Sequence, residues 1–304
     1  MNKKILYFSV IIGALIISSC GTQKRIAATA ETSKTTRETI ETDSATLSIL
    51  QAEMVKKLGQ QTVDSSLNKK IVSLLSTLQN DLGKIQQTVD AVDFFLETKK
   101  NFRLNNYEDD VKSYITRLDS FKLQKKTRDR IYQLLDEAVK MEAFQKYGMG
   151  AFFEPGIYRI APAGFNSVNQ SFQPAIDSMS AVSNRYPDIK RTAHLVIVGY
   201  ADATPITTGT KLYNELKSYM KQTDSESVQM NQALSDLRAN ELLRNLKIIM
   251  RTSASRFSNY NQLKIAYSSY GRGQALPFNN ITDYTENDER RRVVVFYWAI
   301  LPEL

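Results

Sequence analysis

From Ala45 to Tyr147 the chain contains no proline and only two glycines, and that feature narrows its folding choices most. Proline breaks a helix by removing a donor and clashing with the preceding turn, so a stretch without it is free to stay helical. Within it Leu67, Ile71, Leu74, Leu78, Leu82, Ile85, Val89, Val92 and Leu96 step by three or four residues. This spacing lines one face of a long helix. A second stripe, from about Tyr107 to Phe144, passes through Leu118, Phe121, Ile131, Leu134, Leu135, Ala138 and Met141, with a break near Lys125 and Lys126. The charged segment Glu97 to Asp110 is expected to turn the chain between them. An antiparallel hairpin and an oligomeric coiled coil both satisfy the pattern, and the irregular heptad favours the hairpin. As a role, a structural spacer is the plainer reading and a docking surface the sharper one.

After Gly148 the composition changes to Phe, Tyr, Pro and Gly, and strand-like runs alternate with helical ones. Phe152 to Ile160 reads as a first strand, followed by a helix from near Pro162 to Arg185. His194 to Tyr200 is a dense apolar run of the kind buried on both faces. Asn231 to Met250 reads as a helix with Leu234, Leu237, Leu242, Leu246 and Ile249 inward, and Leu263–Tyr270 and Val293–Ile300 read as two more strands. The order βαβαββ predicts an α+β domain, with helices layered on a mixed sheet.

At the other end, Lys3 and Lys4 precede an uncharged apolar stretch, Ile5 to Ile17, then Ser18, Ser19 and Cys20, the one cysteine of the chain. This order reads as a secretory leader, and the apolar run is short for a membrane span. The segment resembles the lipobox of bacterial lipoproteins. The resemblance implies cleavage before Cys20, lipid on its sulfur and acylation of the new N-terminus. Several acyl chains on one residue would hold the protein to a lipid membrane lastingly. Gly21 stands where an Asp would mark retention at the inner membrane, which points to the periplasmic face of the outer membrane. The alternatives are an ordinary leader with an incidental cysteine and an uncleaved anchor helix. The organisation expected is a leader over 1–19, a flexible tether over 20–44, a helical stalk over 45–147 and a folded domain over 148–304. The tether rests on composition, since Gly21 to Ser44 holds almost no large apolar residue. The formal charge is +8, or about +6 without Lys3 and Lys4. Export would remove nucleic acid as a partner and leave lipid headgroups and the carboxylates of peptidoglycan.

Four motifs fall at the element boundaries of the last domain. Gly199-Tyr200-Ala201-Asp202 closes the second strand, and Asn231-Gln232-Ala233-Leu234-Ser235-Asp236-Leu237-Arg238-Ala239 opens a helix. Tyr270-Gly271-Arg272-Gly273-Gln274-Ala275-Leu276-Pro277 follows the third strand, and Asp288-Glu289-Arg290-Arg291-Arg292-Val293 enters the last. With Phe153-Glu154-Pro155-Gly156 ahead of them, these motifs resemble the C-terminal domain of the OmpA family over about residues 150 to 300.

The resemblance implies a peptidoglycan-binding domain that holds the diaminopimelate of the stem peptide. The free end of that residue carries an ammonium and a carboxylate on one carbon, so its site needs an anion and a cation facing one shallow groove. Asp202 matches the aspartate that takes the ammonium. Arg238 matches the arginine that takes the carboxylate with a planar fork. Asn231 and Ser235 would lie near a helix N-terminus that favours an anion. Leu234 would wall the pocket, and Arg291 or Arg292 would add a cationic contact. The plainer readings are that Asn231 caps the helix, that Arg238 pairs on the surface with Asp236 or Glu241, and that Arg290–Arg292 is a solvated edge. Ala201 and Ala203 depart from the family pattern, and so do the 28 residues between Asp202 and Asn231, of which Lys211 to Thr223 read as helical. That insertion could be a lid, a partner surface or a neutral excursion.

Catalytic chemistry finds few candidates. His194 is the one histidine, inside an expected strand, and reads as a core or edge residue; Cys20 is committed to the anchor. Gly271-x-Gly273 lacks the third glycine and the setting of a dinucleotide site. Asp109–Asp110 sits on a polar helical face. The sequence therefore reads as a non-enzymatic wall anchor with no cofactor and no metal. Its rivals are a structural part of an envelope-spanning secretion or motility machine, docking partner proteins through 45–147 and 203–230, and a domain that kept the fold but lost the ligand.

Overall fold

The computed structural model describes the backbone of residues 3–59, 64–97, 107–140, 147–150, 153–221, 226–278 and 281–304; the side chains of 3–22, 59, 107–110 and 147–150 are outside the description. The chain is α+β and forms two compact units, residues 1–52 with 72–132 and residues 53–71 with 133–304. The second unit therefore takes in helical residues from before position 148.

The helical elements are α1 (Lys3–Gly59), α2 (Ser65–Glu97), α3 (Tyr107–Leu123) and α4 (Lys125–Lys140). The expected break at Lys125 is a one-residue turn at Gln124. In the first unit Phe95 stacks near Tyr114, at 5.8 Å between ring centroids, and Arg117 donates to Thr88. Rising numbers on α2 meet falling numbers on α3, so the two helices run antiparallel. Residues 98–106, expected as the turn between them, and 141–146 lie outside the described residues.

The stretch 21–44, expected as a tether, is instead part of α1. Its buried positions are Thr29, Ser33, Thr36, Ile40 and Asp43, continuing through Leu47, Leu50 and Met54. They alternate steps of four and three, the 3.5-residue repeat of a packed helical seam. Small hydroxyl residues fill the early positions: Thr36 donates to the Thr32 carbonyl of its own helix at 2.7 Å, and Ser33 donates across to the Asp93 carboxylate on α2. Arg37 bonds Asp93 at 2.6 Å and Asp90 at 3.1 Å on α2, and Asp43 pairs with Arg128 on α4 at 3.2 Å. A pattern of large apolar residues does not detect a seam built of Thr and Ser. Cys20 lies in α1 by its backbone, and its side chain is outside the described residues.

The second unit is built on a four-stranded mixed sheet in the order β1–β4–β2–β3, with β1 Tyr147–Gly150, β2 Arg191–Gly199, β3 Leu263–Gly271 and β4 Val293–Pro302. β2 and β3 are parallel, Arg191 opposite Leu263 and Gly199 opposite Gly271; β4 runs antiparallel to β2 and to β1. Every residue of β4 is buried, as is the later part of β2, which accounts for their unbroken apolar runs. On the sheet lie α5 (Phe165–Arg185) and α7 (Ser227–Thr252), while α6 (Lys211–Met220) packs on α7. Phe172 meets Phe296 edge to face at 5.2 Å.

The first strand does not lie where expected. β1 precedes the 152–160 segment, of which 153–160 is a turn-rich strap leading into the 3₁₀ turn Pro162–Gly164 (residues 151–152 are outside the description). Phe153 and Tyr158 gave that segment a strand-like look, but their rings contact arginines (Phe153 with Arg238, Tyr158 with Arg159).

Candidate functional site

The chain leaving β2 is stitched between two loops. Tyr200 N–H donates to Val293 O at 2.9 Å, Ala201 N–H to Gly273 O at 2.8 Å and Ala203 N–H to Glu286 O at 2.7 Å. This places Asp202 beside the entry to β4. α7 crosses close beneath: a Cβ at Gly199 would collide with the Ser235 carbonyl, and one at Gly271 with the Ser235 hydroxyl. Only glycine lets the two strand ends approach the helix so closely.

Asp202 is 6% exposed and Arg238 1%. The Asp202 carboxylate accepts from Thr204 N–H at 3.2 Å and pairs with Arg292 Nη1 at 2.8 Å. Arg238 donates through Nε to Ile157 O at 3.0 Å, through Nη1 to Tyr200 O at 3.2 Å and through Nη2 to Glu154 O at 3.3 Å. Its guanidinium stands 5.5 Å from the Phe153 ring. Burial pushes its pKa down to about 10; the Asp202 charge opposes that fall and the Arg292 charge adds to it. The three charged groups therefore share one electrostatic neighbourhood.

The remaining residues sort differently from the sequence expectation. α7 begins at Ser227, and its N-terminus is closed by a capping box between Glu226 and Gln229. Asn231 and Ser235 are thus one and two turns inside the helix, at neither its cap nor an open anion site. Asn231 Nδ2 donates to Thr204 O at 3.2 Å, and its buried Oδ1 has no hydrogen-bond partner among the described residues. Ser235 Oγ donates to Gln232 O and accepts from Gly273 N–H, so it holds the glycine loop in place. Leu234 packs with Ala201, Met230, Ala233 and Leu216 of α6, beneath the insertion.

Of the two arginines expected to assist, Arg292 reaches Asp202. Arg291 turns inward to the carbonyls of Thr285, Glu286 and Gln274. Arg290 is the solvated one, pairing with Asp283 and Asp288. The 3₁₀ turn Glu289–Arg291 sets this division by rotating successive side chains about 120° apart. The plainer reading, a surface pair of Arg238 with Asp236 or Glu241, does not hold: Arg238 is buried, Asp236 accepts from Gly271 N–H, and Glu241 from Ile160 N–H.

Asp202 and Arg238 lie close enough to influence each other's charge, but both are buried and do not face the open groove expected of them. The nearby open space, a cavity of about 960 Å³, lies between the strap, α6 and α7 and is lined by Tyr158, Glu215, Glu241 and Arg244 among others. Sequence reasoning missed one charged residue of the same kind, Arg191, fully buried where β2 starts. His194, on the same strand, is partly buried; burial, with help from Lys70, lowers its pKa to about 4. Comparisons with models of known protein families and with curated proteins find no match.

Proposed function

We propose that the chain is a non-catalytic lipoprotein that binds the diaminopimelate end of the peptidoglycan stem peptide, with lipid at Cys20 fixing it to the periplasmic side of the outer membrane. The observation that carries the wall-binding part is the joining of Asp202, Arg238 and Arg292, from the end of β2, the body of α7 and the entry to β4, in one buried charged cluster. Buried charge is costly unless it is paired, and one anion among two cations is a setting that a zwitterion with a further carboxylate would complete. The Asn231 Oδ1, without a partner among the described residues and on the side chain that bonds the Thr204 carbonyl, offers an acceptor for an ammonium. The anchoring part rests on the lipobox-like segment alone.

The test is co-sedimentation of the full chain with purified diaminopimelate-type peptidoglycan. Wild type should pellet with it, and the Asp202→Asn, Arg238→Lys double variant should stay in the supernatant while keeping its helical circular dichroism. Equal pelleting of both would overturn the reading, and pelleting of neither would leave a fold without the ligand.

A second reading, docking within an envelope machine, is favoured by apolar side chains on the helical region that face solvent, Ile49 (59% exposed) and Leu123 (85%) among them. Mild crosslinking in cells followed by purification should then recover partner proteins, and changing both residues to Glu should remove them.

A further inference from the structure

The oxygens on Arg238 sit where a ligand's would. A guanidinium takes a carboxylate side-on through Nε and the neighbouring Nη. On Arg238 that edge is occupied by two oxygens of the strap, Ile157 O on Nε and Glu154 O on Nη2. Across the cluster, Arg292 Nη1 occupies an oxygen of Asp202, as a ligand ammonium would. The site satisfies itself with groups of the same geometry as the ligand proposed above.

The strap, in turn, is held from outside. Tyr158 Oη donates to Glu215 Oε2 of α6 at 2.7 Å, and Ile160 N–H donates to Glu241 Oε1 of α7 at 3.3 Å. The turn that presents the two carbonyls closes through Ile157 N–H to Glu154 O at 3.0 Å. It passes through Gly156 with φ at +71°, next to Leu212 of α6, where a Cβ would come within 3.3 Å of that side chain. The insertion after Asp202 thus meets the strap at Gly156 and Tyr158, and α7 holds its end at Ile160.

We propose that the strap is a competing stand-in for the ligand carboxylate on Arg238, and that the insertion helix α6 latches it there through Glu215 and Tyr158. Both acceptors bond an ionised guanidinium, but backbone carbonyls are neutral, whereas a carboxylate adds the attraction of its full negative charge to the buried Arg238. A ligand bringing a free carboxylate can displace the strap, whereas one whose carboxylate is amidated gains nothing over it. The insertion then serves as a selectivity element that raises the threshold for entry. What displaces the strap rests on the wall-binding reading; the latch does not.

The experiment compares the full-length chain with Tyr158→Phe, Glu215→Ala and the double variant, none of which alters Arg238 or Asp202. Amide hydrogen exchange over residues 153–160 and the association rate with a solubilised diaminopimelate-containing stem peptide are measured. Removing one hydrogen bond to a carboxylate should speed strap exchange and association by roughly tenfold, with the double variant no faster than the singles. Strap exchange unchanged in both singles would overturn the latch. Faster exchange with an unchanged or slower association rate would overturn the stand-in. If no form binds the peptide, the wall-binding reading falls and exchange alone decides the latch.

Discussion

Arg191 and Arg238 lie at opposite ends of β2, each at most 1% exposed and each giving three hydrogen bonds. Arg191 donates to Ser183 Oγ on α5, to Ile189 O just before β2 and to Ser258 O in the loop before β3. All three belong to segments tied into the sheet and its helices, so it ties scaffold to scaffold. Arg238 takes two of its three partners from the strap, outside any helix or strand, and has Asp202 and Arg292 as charged neighbours. Burial lowers the pKa of both arginines. Desolvation therefore does not separate a cation that ties the scaffold from one proposed to hold a ligand. The separating feature is whether the partners can leave.

Substitutions that keep the charge and remove the fork would break or sharpen this contrast. The largest expected effect is that of Arg238→Lys on peptidoglycan binding, a loss of about 100-fold, the scale for truncating one partner of a hydrogen-bonded charge pair. Arg191→Lys should leave the binding isotherm of the folded protein unchanged. In stability the order should reverse: Arg191→Lys should cost about 3 kcal/mol in denaturant unfolding, because its scaffold carbonyls stay buried and unpaired. Arg238→Lys should cost about 1 kcal/mol, since the strap carbonyls can turn to water.

His194, three residues along β2 from Arg191, gives the Arg191 end of the strand a pH signature. Its folded pKa of about 4 lies below the unfolded value of 6.5, so the fold favours the neutral ring. The contribution is complete above pH 6.5 and is lost as pH falls toward 4, on the order of 2 kcal/mol. Unfolding midpoints between pH 7 and pH 4 should show this decline, and His194→Gln should flatten it. The smallest effect belongs to Arg290→Ala. Its pair with Asp283 is exposed, and the more covered Asp288 carboxylate keeps its bond from the backbone N–H of residue 290, so the unfolding midpoint should move little and wall binding not at all.

Much of the α+β framework was legible in the sequence because burial on both faces forces continuous apolar strands, as in β4, and α7 had to present Leu242, Leu246 and Ile249 inward. The seam of α1 was hidden because Thr29, Ser33 and Thr36 bury without being apolar. The start of α7 was missed because a glutamate, Glu226, caps it. Asp202 and Arg238 were singled out by their motif. The closure over them was not, because Arg238 bonds to the backbone carbonyls of Glu154, Ile157 and Tyr200, and a carbonyl has no letter of its own in a sequence. For the same reason nothing marked Arg191 as buried.

The central claim, that Asp202 and Arg238 together hold a zwitterion with a free carboxylate, is tested most directly by calorimetry of the full chain with two stem peptides. One carries diaminopimelate with its free carboxylate, and the other has that carboxylate amidated. Saturable binding of the first, lost with the amidated peptide and in the Arg238→Lys variant, is the expected result. Equal affinity for both peptides, or binding that persists in Arg238→Lys, would contradict it.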